Sequence, residues 1–180
     1  MRLELDGVSL RIFEEADIKQ KVEWINNPQN NEFLHYDIPI SVEGTKKWFD
    51  NKSKQNRIDC VVEWNNIPVG LIGLLQIDKV NCKAEYYITI GNTEYKRKGI
   101  ALKATKLILT YAFNVLKLKK VYLNVDEKNI AACSLYEKVG FKCEGVFVED
   151  MFFRGEWINR RRYSIINESF LGGGIRNEYS

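Results

Sequence analysis

A mixed α/β fold with a single central sheet is what this sequence predicts, on three observations. Short alternating or β-branched segments are interleaved with segments of helical period, in the order strand, helix, helix, three strands, helix, strand, helix, strand, strand. That interleaving packs helices onto the faces of one sheet. From Gly99 onward, Ile100, Ala104, Leu107, Ile108, Tyr111, Ala112 and Val115 recur at i, i+4, i+7, i+8, i+11, i+12 and i+15, one apolar stripe on a helix of about four or five turns. The 180 residues are enough for one domain with its own core.

Each element has a local reason. Val8–Ile12 alternates apolar and polar residues and reads as a short strand. Glu14-Glu15-Ala16-Asp17 places acid in a first helical turn, and Pro28 helps end that helix after Asn27. Ser41 is suited to N-cap a second helix that contains Thr45, Trp48 and Phe49. Ile58–Trp64 and Val69–Leu75 flank Asn65-Asn66-Ile67-Pro68 and read as a hairpin. Glu85–Ile90 is a further strand, ended by Gly91. Beyond the long helix come the strand Val121–Val125 and a helix from Asn129 to Val139, with Gly140 suited to a left-handed C-cap. Strands near 142–148 and 157–166 close the sheet, which makes seven. Residues 1–168 are expected to form the domain, and 169–180, with Gly172-Gly173-Gly174, a loose tail.

Composition excludes several classes. Apolar residues make up 45% and charged residues 28%, as in ordinary globular proteins. No apolar run approaches the roughly 18 residues of a membrane span, and Met1–Asp6 has no signal-peptide core, so a cytoplasmic protein without a membrane partner is expected. The four cysteines form no CxxC pair and the single histidine, His35, has no ligand-type neighbours, which argues against a metal site. The thiols are expected to be reduced and mostly buried. A net charge of +3, with basic residues scattered along the chain, does not point to nucleic acid.

The chemically informative stretch is Tyr95-Lys96-Arg97-Lys98-Gly99-Ile100-Ala101, between a strand and the long helix. A glycine there lets backbone approach a ligand closely, and the bare N–H groups of the first helical turn attract anions. Lys96, Arg97 and Lys98 add positive charge at the same point. The stretch is neither a Walker loop nor a GxGxxG fingerprint.

Lys96-Arg97-Lys98-Gly99-Ile100-Ala101 resembles the acyl-CoA loop of the GNAT acetyltransferase superfamily, [QR]-x-x-G-x-[GA], with Lys96 departing at the first position. A second block, Asn129-Ile130-Ala131-Ala132-Cys133-Ser134-Leu135-Tyr136-Glu137-Lys138-Val139-Gly140-Phe141, is similar to the family's N-x-x-[AS]-x-x-L-Y-E-K-x-G-F. Arg154-Gly155-Glu156-Trp157 and Tyr163-Ser164-Ile165 look like the tail of the branch holding ribosomal-protein alanine and spermidine acetyltransferases. The N-terminal half, through Trp24–Asn27 and Pro39-Ile40-Ser41, is similar to enzymes acting on nucleotide-linked amino sugars. The resemblance implies a mixed sheet of about six or seven strands, helices on both faces, and a splayed cleft between the fourth and fifth strands. It implies transfer of acetyl from acetyl-CoA to a primary amine of a small molecule.

By the same resemblance, residues Lys96, Arg97, Lys98, Gly99, Ile100 and Ala101 would hold the CoA diphosphate. Tyr86, Ile88 and Ile90 would line the pantetheine along the strand edge, with Asn129 and Ala132 opposite. An N–H near Ile88 would meet the oxyanion. Tyr136 would protonate the departing thiolate, a role suited to a phenol because it keeps its proton at neutral pH. Some relatives place a glutamate where this chain has Asn124, which cannot serve as a base; Asn124 is assigned to the acceptor side and Glu85 to the base. His35 and Tyr36, between the first two helices, are candidate acceptor contacts, and His35 has the intrinsic pKa of a base. Cys133 has no histidine partner in sequence and is not a candidate nucleophile. The resemblance names a nucleotide-linked amino sugar first as acceptor, with a peptide N-terminus or a spermidine-type polyamine as the alternatives. A non-catalytic acyl-CoA sensor is the alternative outside enzymes, and a homodimer is the expected assembly.

Overall fold

The computed structural model describes residues 1–51 and 55–169. Its strands are β1 (Arg2–Leu5), β2 (Val8–Ile12), β3 (Ile58–Trp64), β4 (Ile67–Asp78), β5 (Lys83–Ile90), β6 (Lys120–Asp126), β7 (Lys142–Phe153) and β8 (Glu156–Ile166). Its α-helices are α1 (Ile18–Asn26), α2 (Val42–Asn51), α3 (Ile100–Asn114) and α4 (Ile130–Val139). One sheet holds all eight strands, in the order β1–β2–β3–β4–β5–β6–β8–β7. The fold is thus the expected α/β one with a strand more than the seven expected. The tail expected from residue 169 lies, from Phe170 on, outside the described residues.

The extra strand, β1, is four residues at the sheet's edge and too short for its alternation to register as a signal. It is folded back by Asp6 (φ 46) and Gly7 (φ 80), a two-residue turn with both φ positive. Such turns match the twist of the strands they join. Asn65–Asn66 (φ 48 and 65) and Arg154–Gly155 (φ 49 and 86) join β3 to β4 and β7 to β8 in the same way.

The helices cover both faces. On one face α1 and α2 bury Phe13, Ile18, Trp24, Val61 and Leu71, with Trp48 and Phe49 packed against them. On the other, α3 and α4 pack on Val62, Ile72, Leu74, Tyr86 and Leu123. The stripe on α3 is real: Ile100, Ala104, Ile108 and Ala112 are buried, and full burial of each isoleucine stabilises by about 1.5–3 kcal/mol. Val115 is a correction. It lies one residue past the helix, as its C-cap, and is 60% exposed. The thiols also divide: Cys60 and Cys133 are buried, whereas Cys143 is exposed.

Every pairing in the sheet is antiparallel except β5–β6. This parallel pair is registered only at Lys83↔Lys120, Ala84↔Val121 and Glu85↔Tyr122. Beyond Glu85 the two strands part, β5 staying with β4 as far as Ile90 and β6 staying with β8 as far as Asp126.

Candidate active site

The parting of β5 from β6 makes a gap through the sheet, and backbone alternation decides what faces it. Gly91 N–H donates to Val69 O on β4. Peptide groups alternate sides along a strand, so Thr89 and Tyr87 also turn to β4, and Ile88 and Ile90 turn their N–H and C=O groups to the open side. Both lie past the last paired residue, Glu85. An unpaired strand edge of this kind is a template for the amides of an extended ligand. Tyr86 shares the backbone orientation of Ile88 and Ile90. Its side chain is buried on the α3 side, where its hydroxyl is 2.7 Å from Thr105 Oγ1.

At the end of the gap nearest α3, Arg97 (φ 61) and Gly99 (φ 75) are both left-handed. Only glycine takes that conformation without strain, so Arg97 holds it at a cost. The result is a run of backbone N–H groups, Arg97 to Leu102, that donate to no backbone carbonyl among the described residues. Bare donors at a helix start favour a diphosphate. The side chains of Arg97 and Lys98 are exposed beside them. Lys96 departs from expectation: its ammonium donates to Gln29 O at 2.9 Å, in the α1–α2 loop.

On α4, Asn129 is the N-cap, and its Oδ1 accepts from Ala132 N at 3.1 Å. The Ala132 N–H is thus bound within the helix cap, and the Nδ2 group of Asn129 is the part of that side chain left to meet a ligand. Two turns on, Tyr136 is 7% exposed. Its ring packs edge-on to Tyr86 (6.0 Å) and tilted against Phe141 (5.9 Å) and Tyr163 (6.1 Å). Burial pushes the Tyr136 phenol well above its ordinary range, so it holds its proton at neutral pH. Its hydroxyl takes no hydrogen-bond partner among the described residues, which leaves it able to donate to a ligand. Tyr163, fully buried, ties β8 to α4 by donating to Glu137 Oε1 at 2.8 Å. The sequence block pointed to Tyr136 and Phe141, but nothing local pointed to Tyr86 and Tyr163 as the rest of its cage.

The opposite face carries the other half. Glu85 points away from Tyr86, and Asn124 Nδ2 reaches across the gap to Glu85 Oε1 at 3.4 Å. Beyond it on β6, Tyr122 lies under Arg162, whose guanidinium carbon is 3.8 Å from the ring centroid. The α1–α2 loop arches over this side. Besides the Lys96 bond, Asn30 Nδ2 donates to Gly91 O (2.7 Å) and Arg154 donates to Asn31 O (3.1 Å). His35 stands edge-on to Phe153 at 4.9 Å. Burial, and then Arg160, lower the His35 pKa, so the imidazole is neutral at pH 7. Tyr36 is 39% exposed, and burial of its hydroxyl near Arg57 and Asp59 raises its pKa. The loop thus joins the CoA-loop end of the gap to the tip of the β7–β8 hairpin, with both acceptor candidates on it.

Glu85 and Tyr136 therefore stand on opposite faces of one sheet, and the gap is the window between them. A concavity of about 850 Å³ between α3 and the ends of α4 and β8 shares no residue with this window. Among the described residues no three His, Cys, Asp or Glu side chains gather as a metal site. An unpaired strand edge beside a run of bare N–H groups could hold a long diphosphate-bearing thioester, the co-substrate of an acyl-CoA-dependent acyltransferase.

Known proteins place it further. Residues 8–142 match the model of the acetyltransferase (GNAT) domain. The spermidine N(1)-acetyltransferase of Escherichia coli K12 is 33% identical over 167 residues, which cover 92% of this chain and 89% of that protein. The crystal structure of Vibrio cholerae spermidine N-acetyltransferase with CoA and spermine superposes with a TM-score of 0.84 at 28% identity, over 92% of this chain and 98% of that one. A structure of the same enzyme described as dodecameric matches at TM-score 0.78 and 28% identity, over 92% and 97%. The chain belongs to the GNAT acetyltransferase family, as its two sequence blocks implied. It is an N-acetyltransferase that uses acetyl-CoA.

Proposed function

We propose that the acceptor is an aliphatic polyamine of the spermidine class, acetylated on a terminal primary amine. The carrying observation is uncompensated negative charge on the acceptor side. Glu85 in the gap, with Glu32 and Asp37 in the overarching loop, makes no ion pair among the described residues. Bare carboxylates along an entry path favour a flexible polycation and raise its local concentration. Two of the relatives named above are spermidine enzymes, one of them bound to spermine.

In this reading acetyl-CoA lies along Ile88 and Ile90, with its diphosphate on the N–H groups of residues 97–102. The ammonium loses one proton to Glu85, directly or through water. Its nitrogen then attacks the thioester carbonyl, the N–C bond forms and the C–S bond breaks. Tyr136 gives the leaving thiolate its proton, the second nitrogen proton passes through water to restore the phenol, and Glu85 releases the first to solvent. Residues 1–168 act as one domain in the cytoplasm, where acetyl-CoA is made, and copies self-associate, at least as a dimer.

One observation favours a second acceptor, a nucleotide-linked amino sugar. Arg154, exposed at the hairpin tip, bonds the Asn31 carbonyl but pairs with no acid among the described residues, and would suit a phosphate. Thiol release from acetyl-CoA, measured against spermidine, spermine, UDP- and dTDP-amino sugars and N-terminal peptides, tests the choice. Spermidine turnover that salt suppresses supports the polyamine. Turnover confined to the nucleotide sugars or peptides refutes it.

A further inference from the structure

At the point where the strands part, an amide and a carboxylate meet with one atom to spare. Asn124 lies two residues past the last paired position of β6, and Glu85 is the last paired residue of β5. A carboxylate only accepts hydrogen bonds, so the Asn124 nitrogen must be the atom that faces Glu85 Oε1, and Oδ1 is the atom left over. That oxygen is shielded from water and has no hydrogen-bond partner among the described residues. Buried carbonyl oxygens are nearly always satisfied, and one left bare beside the window calls for a donor that arrives with a ligand.

We infer that Asn124 Oδ1 and Glu85 together read the two N–H hydrogens of the attacking amine, so that this pair selects primary over secondary amines. The inference rests on acetyl transfer to an amine in this gap, and not on the amine being a polyamine. Once the ammonium has lost one proton through water to Glu85, and Glu85 has passed it to solvent, a primary amine keeps two hydrogens and one lone pair. Asn124 Oδ1 takes one hydrogen and a Glu85 oxygen the other. Those two bonds fix the nitrogen's rotation and turn the lone pair to the thioester on the far side of the window. A secondary amine has one hydrogen at this stage. Its second carbon would press against the bare Oδ1, leaving a buried acceptor unsatisfied, and sites built to bond an N–H reject analogues that lack it. Asn124 is thus a substrate-orienting residue, and its amide also holds Glu85 in place.

The test uses n-propylamine and N-methylpropylamine, probes small enough to enter without the rest of any natural acceptor. Thiol release is followed at saturating acetyl-CoA in the wild type, Asn124→Leu and Asn124→Ser. Leucine nearly matches asparagine in size without polar atoms, and serine is a smaller polar replacement should leucine disturb the strand. The wild type is expected to prefer the primary amine in kcat/KM by roughly 10- to 100-fold. Both variants are expected to lose most of that factor on propylamine and little on its N-methyl analogue, so that the ratio falls towards one. Acetyl-CoA affinity by calorimetry stays within about twofold, which a general structural lesion would not allow. An unchanged ratio in folded variants overturns the inference, as does a wild type that shows no preference or does not acetylate propylamine. Failure of the polyamine reading looks different: spermidine is not turned over while the primary preference persists.

Discussion

Replacing Tyr136 by phenylalanine separates leaving-group protonation from everything else that residue does. The ring carries the packing, against Tyr86, Phe141 and Tyr163, and Tyr136→Phe keeps it. The deleted hydroxyl has no partner among the described residues, so no protein hydrogen bond is broken, and stability should change by no more than about 0.5 kcal/mol. For a chain of this size that is about 1–2 °C in Tm. The rate should respond very differently. General acid catalysis by a positioned side chain contributes about 10²–10⁴-fold, equivalent to roughly 2.7–5.4 kcal/mol of barrier at 1.36 kcal/mol per tenfold. Thiol release monitored colorimetrically should therefore show kcat falling by at least about a hundredfold. Acetyl-CoA affinity by calorimetry and acceptor KM should stay within a few-fold. Because burial raises the phenol's pKa, the wild type should also show no loss of rate from Tyr136 ionisation below about pH 10. A variant that retains kcat within twofold would refute the acid role. A fall in acetyl-CoA affinity matching the fall in rate would recast Tyr136 as a binding residue. Tyr136→Ala is a poor substitute, since emptying the cage would cost about 3–5 kcal/mol and confuse the two effects.

Two further outcomes follow from the acceptor side. A Cβ at Gly91 would sit 2.1 Å from Trp24 Cγ, so Gly91→Ala should destabilise by about 1–3 kcal/mol, seen as a lower Tm, while the N–H run at 97–102 still binds acetyl-CoA. An unchanged Tm would mean that α1 does not lie against the end of β5. His35 has a folded pKa below its ordinary 6.5, so the folded state resists protonation that the unfolded chain accepts. Stability is then complete above about pH 6.5 and declines on acidification, with a slope of at most about 1.4 kcal/mol per pH unit from this one group. Thermal melts at pH 7.5 and 5.5 should differ less in His35→Gln than in the wild type. Equal differences in both proteins would show that the imidazole is not held neutral.

Much of the fold was legible because its signals are local. Ser41 caps α2, its Oγ accepting from Gly44 N at 3.0 Å, as its residue type announced. Gly140 takes the left-handed C-cap at φ 110. The hairpin at Asn65–Asn66 and the stripe on α3 needed only turn chemistry and a period. β1 was missed because four residues on an edge carry almost no periodic information, and the Asp6–Gly7 turn was the one cue that could have found it. At the site, Gly99, Asn129 and Tyr136 were visible as members of two sequence blocks. Side-chain destinations were not. Lys96 looked like a phosphate ligand by its position and is held by Gln29 O, 67 residues away in the chain.

Taken alone, then, the amino-acid sequence determined which segments become strands and helices, and which helix starts offer bare N–H groups. Those properties depend on residues a few positions apart. It also carried the family and its acetyl-CoA co-substrate, in two short sequence blocks. The family resemblance implied a splay between these two strands, and the tertiary structure decided that β5 and β6 pair for three residues before they separate. That separation is set by which neighbour each strand keeps, and it turns two distant segments into the walls of one window. The same separation put Glu85 and Tyr136 on opposite faces and left Asn124 Oδ1 without a partner between them. An unsatisfied atom is a property of its whole surroundings, and no local pattern of residues can announce it.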